Sequence, residues 1–216
     1  MAEIIPSINS PTFEEVQEKI KKVEPYVRWA HLDVTDGVFS KHLTWHDPQD
    51  LPRLETKLKL EVHLMIEEPE KAVDQWLTEP IKRVIVHLEA AKDLDFIIDK
   101  CRKSGKEIGI AINPETFWGK LIPFLDKVDL VQILAVNPGP PGQKMQEGIL
   151  DKLTHLRKAC PDCQIEIDGG VNPETIEIAH KAGADLFISG FMFKFPDLKK
   201  AVEGLKKQLK ADIIHL

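Results

Sequence analysis

Arg28-Trp29-Ala30-His31-Leu32-Asp33-Val34-Thr35-Asp36-Gly37 reads as a buried strand running into a polar turn. Side chains alternate along a strand, so Leu32 and Val34 share one face while His31 and Asp33 share the other. Working outward, short apolar runs recur at Glu3 to Ile8, Leu58 to Leu64, Arg83 to Leu88, Glu107 to Ile112, Leu130 to Val136, Gln164 to Ile167 and Asp185 to Ser189. With Arg28 to Val34 they make eight. Most are rich in Ile, Val and Leu on both faces, the pattern of parallel strands covered by helices.

Longer amphipathic segments lie between these runs. Ser10-Pro11-Thr12 opens one that reaches about Val23, with Phe13, Val16 and Ile20 at helical spacing. Asn113-Pro114-Glu115, Asn172-Pro173-Glu174 and Glu68-Pro69-Glu70 predict helix starts, whereas Lys103-Ser104-Gly105 and Lys181-Ala182-Gly183 predict helix ends. Eight units over 216 residues are about 27 residues each. That even repeat favours an α/β fold closed as a (β/α)8 TIM barrel over an open doubly wound sheet. No linker or low-complexity stretch interrupts it, so one domain over 1–216 is expected. Val38 to Lys57 lacks a long helix and holds His42, Trp45, His46 and Asp47, which suggests a lid or a substrate-contacting loop.

Composition narrows the function. The chain is 43% hydrophobic and carries a formal net charge of −6 with no basic stripe, so no nucleic-acid partner is expected. There is no signal-like start and no apolar run long enough to span a bilayer, so the expectation is a soluble cytoplasmic protein without membrane contact. Three cysteines argue against a disulfide scaffold. Cys160-Pro161-Asp162-Cys163 has redox-motif spacing, but without its usual context it reads as a loop carrying two thiols.

Polar groups at the carboxyl ends of barrel strands point into the mouth. The second run supplies His31 and Asp33, the third ends Glu61-Val62-His63-Leu64-Met65, and the seventh ends Glu166-Ile167-Asp168-Gly169-Gly170. His31, Asp33, His63 and Asp168 make a mixed ligand set for one divalent metal ion (Zn, Fe, Mn or Co) without choosing among them. His87 and Glu89 end the fourth run, as support for a ligand or as solvent-facing groups. Asp33 and Asp168 come from opposed arcs of the ring. One could take an α-proton from a ketose and the other return a proton to the opposite face, which is epimerisation; a cation would stabilise the charge on the adjacent oxygen.

These residues resemble the motif set of the ribulose-phosphate 3-epimerase family over nearly the whole chain. The matching stretches are Pro6-Ser7-Ile8, His31 to Gly37, His63-Leu64-Met65, His87-Leu88-Glu89, Ala111 to Thr116, Val136-Asn137-Pro138-Gly139, Gly142-Gln143 and Glu166 to Val171. The resemblance implies a ribulose-phosphate-binding barrel that interconverts D-ribulose 5-phosphate and D-xylulose 5-phosphate. It implies Asp33 and Asp168 as the acid/base pair and His31, Asp33, His63 and Asp168 as metal ligands. For the sugar phosphate it implies contacts from Ser7, His63, Gly139, Gly142, Gln143, Asp168, Gly169, Gly170, Gly190 and Phe191. Family members often associate, so a homo-oligomer is compatible with it.

The chain also departs from that family. Gly139-Pro140-Pro141-Gly142 stands where Gly-Phe-Gly-Gly is usual, and Pro141 has no N–H to offer a phosphate. Phe191 replaces a serine, Thr35 and Leu134 replace methionines, Asn9 replaces an apolar residue, and Ser40-Lys41-His42 replaces Val-Pro-Asn. The alternatives are an epimerase for a hexulose phosphate or an unphosphorylated ketose, and a non-catalytic sugar-binding barrel. A Schiff-base aldolase would need a lysine at a strand end, and the second, sixth and seventh runs have none.

Overall fold

In the computed structural model, which describes residues 2–210, the eight runs form a closed parallel barrel in the order β1 to β8. The strands are β1 Glu3–Ile8, β2 Trp29–Thr35, β3 Lys59–Met65, β4 Ile81–His87, β5 Glu107–Ile112, β6 Leu130–Leu134, β7 Ile165–Asp168 and β8 Leu186–Ser189. Closure is made by β1, whose Ile5 registers with Ile188 of β8 and whose Ser7 registers with His31 of β2.

Helices cover the outside. Thr12 caps α1 (Phe13–Val23), its Oγ1 accepting from Glu15 N, and Phe13, Val16, Ile20 and Val23 are buried. After β3 come a 3-10 turn, Pro69–Lys71, and a single turn of helix, α2 (Val73–Trp76). Asp93 caps α3 (Leu94–Lys103), which stops before Gly105 in the left-handed region at φ +67°. α4 (Ile149–Ala159), α5 (Ile176–Lys181) and α6 (Leu198–Lys210) follow β6, β7 and β8.

Three expectations are corrected. Asn113 caps no helix: its Oδ1 has no hydrogen-bond partner, and β5 is followed by a 3-10 segment, Trp118–Phe124. Gly119 and Pro123 within that segment disfavour an α-helix, the first by its freedom and the second by lacking an N–H. The segment after β2 is not a free lid. Its Pro48–Arg53 turn takes the place of a helix, and Trp45 is buried against Phe13 and Trp76 at 5.4 and 5.7 Å between ring centres. Cys160 and Cys163 are joined as a disulfide, while Cys101 is free and buried.

The barrel interior is apolar at one level and polar at the next. Ile5, Trp29, Ile85, Ala111, Leu130, Leu186 and Ile188 form one buried cluster. Period-two alternation then brings Ser7, His31, Asp33 and His87 onto the same inward faces, nearer the strands' carboxyl ends.

Candidate active site

The register places the polar residues together. Asp33 lies beside His63 across the β2–β3 pair, and His31 lies beside Glu61. His31 Nε2 is 3.3 Å from Asp33 Oδ1 and 3.8 Å from Asp168 Oδ2; His63 Nδ1 is 3.6 and 3.4 Å from the same two oxygens. Neither of those ring nitrogens has a hydrogen-bond partner, and both imidazoles are fully buried. Ligands bonded to one tetrahedral ion at about 2.0–2.2 Å stand roughly 3.4 Å apart. The four donor atoms therefore have the mutual spacing of a ligand set; the two imidazole nitrogens have no other partner, while Asp168 Oδ2 also accepts from Gln132 Nε2 at 3.4 Å.

Neighbouring carboxylates fix which nitrogen each imidazole presents. His31 Nδ1 donates to Glu61 Oε1 at 2.8 Å, which leaves Nε2 facing the site. Glu61 is itself held by Arg83 Nη1 at 2.7 Å. On the other side Glu89 Oε2 accepts from His87 Nδ1 at 3.2 Å, and His87 Nε2 accepts from His63 Nε2 at 2.8 Å. His63 Nδ1 then carries the inward lone pair. Thus His87 and Glu89 support a candidate ligand and do not simply face solvent.

The electrostatics agree with that chain. Burial pushes the His87 imidazole down to about 4, so it is a neutral acceptor at physiological pH. Burial works against the Glu89 charge, yet bonds from His87, Thr116 and the Asn113 amide bring its carboxyl down to about 2. Burial also opposes charge on His31, but Asp33 and Glu61 outweigh it and hold the imidazole well above its ordinary value. Asp33 is in turn held well below the usual carboxylate range, because His31 and His63 overcome its own burial. Burial likewise opposes charge on His63, but Asp168 and Asp33 outweigh it and raise that imidazole.

Glu166 is different. Burial, with the charge of Glu61 nearby, pushes its carboxyl well above the ordinary value, and neither oxygen has a partner. His31, Glu61 and Glu166 have the residue types of a second ligand group, but the Arg83 guanidinium already binds Glu61 there.

Above the ligands opens a cleft of about 830 Å³. Ser7, Asp33, Gly139, Gly142, Gln143, Asp168, Gly169, Gly170, Gly190 and Phe191 all line it, whereas His31 and His63 lie beneath its floor. His63 is not among the residues that line the cleft; its free nitrogen faces the ligand cluster. Ser7 Oγ donates to Asp33 Oδ2 at 2.7 Å, so each oxygen of Asp33 has a different task. Gly169 and Gly170 have positive φ, and a Cβ on Gly170 would stand 2.3 Å from Met145 N, so the turn after β7 packs backbone to backbone against the loop after β6. Residue reading missed the lysines on this cleft, Lys19, Lys144 and Lys194. It also missed the Glu61 support, although Glu61 stands two residues before His63 on the same strand face.

A model of the ribulose-phosphate 3-epimerase family matches residues 3–193. The chain belongs to that family. Ribulose-phosphate 3-epimerase of Bacillus subtilis is 34% identical over 214 residues, covering 95% of this chain and 99% of its own. The Synechocystis ribulose-phosphate 3-epimerase is 35% identical over 218 residues, covering 97% and 95%. The chloroplastic ribulose-5-phosphate-3-epimerase of Arabidopsis thaliana is 35% identical over 212 residues, covering 94% and 75%. This member of the ribulose-phosphate 3-epimerase family is accordingly an isomerase of the epimerase kind. Its fold is shared more widely. A mutant tryptophan synthase alpha-subunit from Pyrococcus furiosus superposes with a TM-score of 0.74 at 12% identity, covering 94% of this chain and 97% of its own. Orotidine 5'-phosphate decarboxylase of Pyrococcus horikoshii gives 0.67 at 16%, covering 97% and 100%. Among the described residues, no helix is long and apolar enough to cross a membrane.

Proposed function

We propose that this protein works as one barrel domain and inverts the third carbon of a ketose phosphate, interconverting D-ribulose 5-phosphate and D-xylulose 5-phosphate. The observation that carries this reading is the pair Asp33 and Asp168, both at the cleft floor, each with an oxygen toward the imidazole pair. His31, Asp33, His63 and Asp168 would hold one divalent cation, which supplies Lewis acidity toward the sugar oxygens. Asp33 takes the proton from one face of the substrate carbon, and Asp168 delivers a proton to the other. Ser7 aligns the substrate-side oxygen of Asp33. The lysines and glycine turns of the cleft suit a phosphate, since ammonium groups and backbone N–H groups both favour anions. The setting would be the cytoplasm, where charge keeps phosphorylated sugars from leaking through membranes.

Pro141 and Phe191 on the phosphate side of the cleft support a second substrate, a longer or unphosphorylated ketose. Incorporation of solvent deuterium into a panel of ketoses and ketose phosphates distinguishes the two. Asp33→Asn and Asp168→Asn should each lose about 10²–10⁴-fold of that exchange. Full exchange in either variant, or purified protein that takes up no divalent metal, would sink the reading.

A further inference from the structure

Two of the departures from the family pattern, Asn9 and His42, are 33 residues apart in sequence and 2.9 Å apart in space. Asn9 leaves the end of β1, His42 sits in the loop after β2, and Gly139 belongs to the loop after β6. Asn9 Nδ2 lies 3.1 Å from Gly139 O and 3.5 Å from Asp33 Oδ2. One orientation of the amide serves all three neighbours. Both Nδ2 hydrogens meet acceptors, and Oδ1 needs a donor, so His42 carries its proton on Nε2. A flipped amide would aim its oxygen at a carboxylate and a carbonyl.

The surroundings leave that amide little freedom. Lys19 Nζ donates to the Asn9 carbonyl at 3.0 Å. Gly139, at φ +119°, packs so closely on the loop after β2 that a Cβ there would stand 2.8 Å from His42 Cβ and 3.0 Å from Ser40 Oγ. Gln143 Nε2 donates to the Asn137 and Pro140 carbonyls at 2.8 and 2.9 Å, so the wall formed by residues 137–143 is internally tied. An apolar side chain at position 9 would fill the same space, but it could not join this wall to Asp33.

We propose that Asn9, oriented by His42, is a positioning residue that sets the substrate-side oxygen of Asp33 against the wall of residues 137–143. Ser7 makes the shorter bond to that oxygen; Asn9 adds the link to the wall. This rests on Asp33 acting on the substrate proton. Misplacing a reacting group by about 1 Å costs up to roughly 10²-fold in rate, so the effect belongs in kcat more than in KM.

The test compares Asn9→Leu, His42→Phe, His42→Gln and the double variant N9L/H42F, each loaded with metal. Turnover of D-ribulose 5-phosphate, metal stoichiometry and thermal melting are measured on all four. In N9L, kcat should fall about 10-fold or more with metal content and melting unchanged. H42F should show a smaller fall, H42Q should recover it by donating from its amide, and H42F should add nothing in the N9L background. An N9L enzyme with wild-type kcat, or losses that multiply in the double variant, would overturn the proposal. Asp33→Asn separates the two levels: activity lost there but intact in N9L removes the positioning role alone, whereas activity surviving in D33N removes both.

Discussion

At the scale of single residues, the site is built on carboxylates that never meet the substrate. Glu61 sets the His31 tautomer, and Glu89 sets that of His63 through His87. Glu61→Gln should weaken metal affinity about 10–100-fold, measured by competition with a chelating dye. Glu89 also has a signature in stability. Its folded pKa of about 2 lies below the ordinary 4.5. It therefore stabilises the fold fully above about 4.5 and loses that contribution as pH falls from there toward 2. Urea unfolding of Glu89→Gln should show a gap from wild type at pH 6 that narrows by pH 3; a constant gap would contradict this. The four candidate ligands were legible because period two puts them on strand ends. The Asn9–His42 contact was not, since it depends on how three loops converge, which no spacing encodes.

Secondary-structure elements divide in the same way between local and non-local signals. Thr12 and Gly105 mark real helix limits, because a cap or a left-handed turn acts within a few residues. Asn113-Pro114-Glu115 also reads as a helix start and begins none, because Gly119 and Pro123 downstream withhold the helical turns it would need. Strand ends are well defined where both faces are buried, as in β5. The end of α4 is pinned from afar. Arg157 donates to the Gly183 carbonyl at 2.8 Å, to Asp185 at 2.5 Å and to the Cys163 carbonyl at 2.7 Å, which aligns the starts of β7 and β8. Gly183 has φ +115°, and a Cβ there would stand 2.7 Å from Arg157 Cβ. Gly183→Ala should therefore lower unfolding free energy by about 1–3 kcal/mol in denaturant titration. Gly142→Ala, also at positive φ but with open space around it, should cost less.

For the molecule as a whole, charge and its placement differ. The chain carries a net −6, yet Lys19, Lys144 and Lys194 line the cleft. Asp33, Asp168 and Glu174 share that lining, so attraction of a sugar phosphate would come from where the lysines sit and not from a net positive mouth, and salt would screen it. We expect kcat/KM to fall as ionic strength rises from about 0.02 M to about 0.3 M, and Lys19→Met to flatten that slope. A salt-independent kcat/KM would argue against attraction by these lysines. Closure was legible at this scale from the even repeat. The disulfide between Cys160 and Cys163 was not, because two residues of spacing suit a pair of thiols equally well.

The donors come from β2, β3 and β7, and the ring shuts only when β8 reaches β1. A ribosome releases His31, Asp33 and His63 while the fourth donor is still four strands from being translated. No nascent fragment short of Asp168 owns all four donors, so the complete cluster forms only late in biosynthesis. A message cut before that codon yields polypeptide that lacks both the fourth donor and the strand that closes the ring.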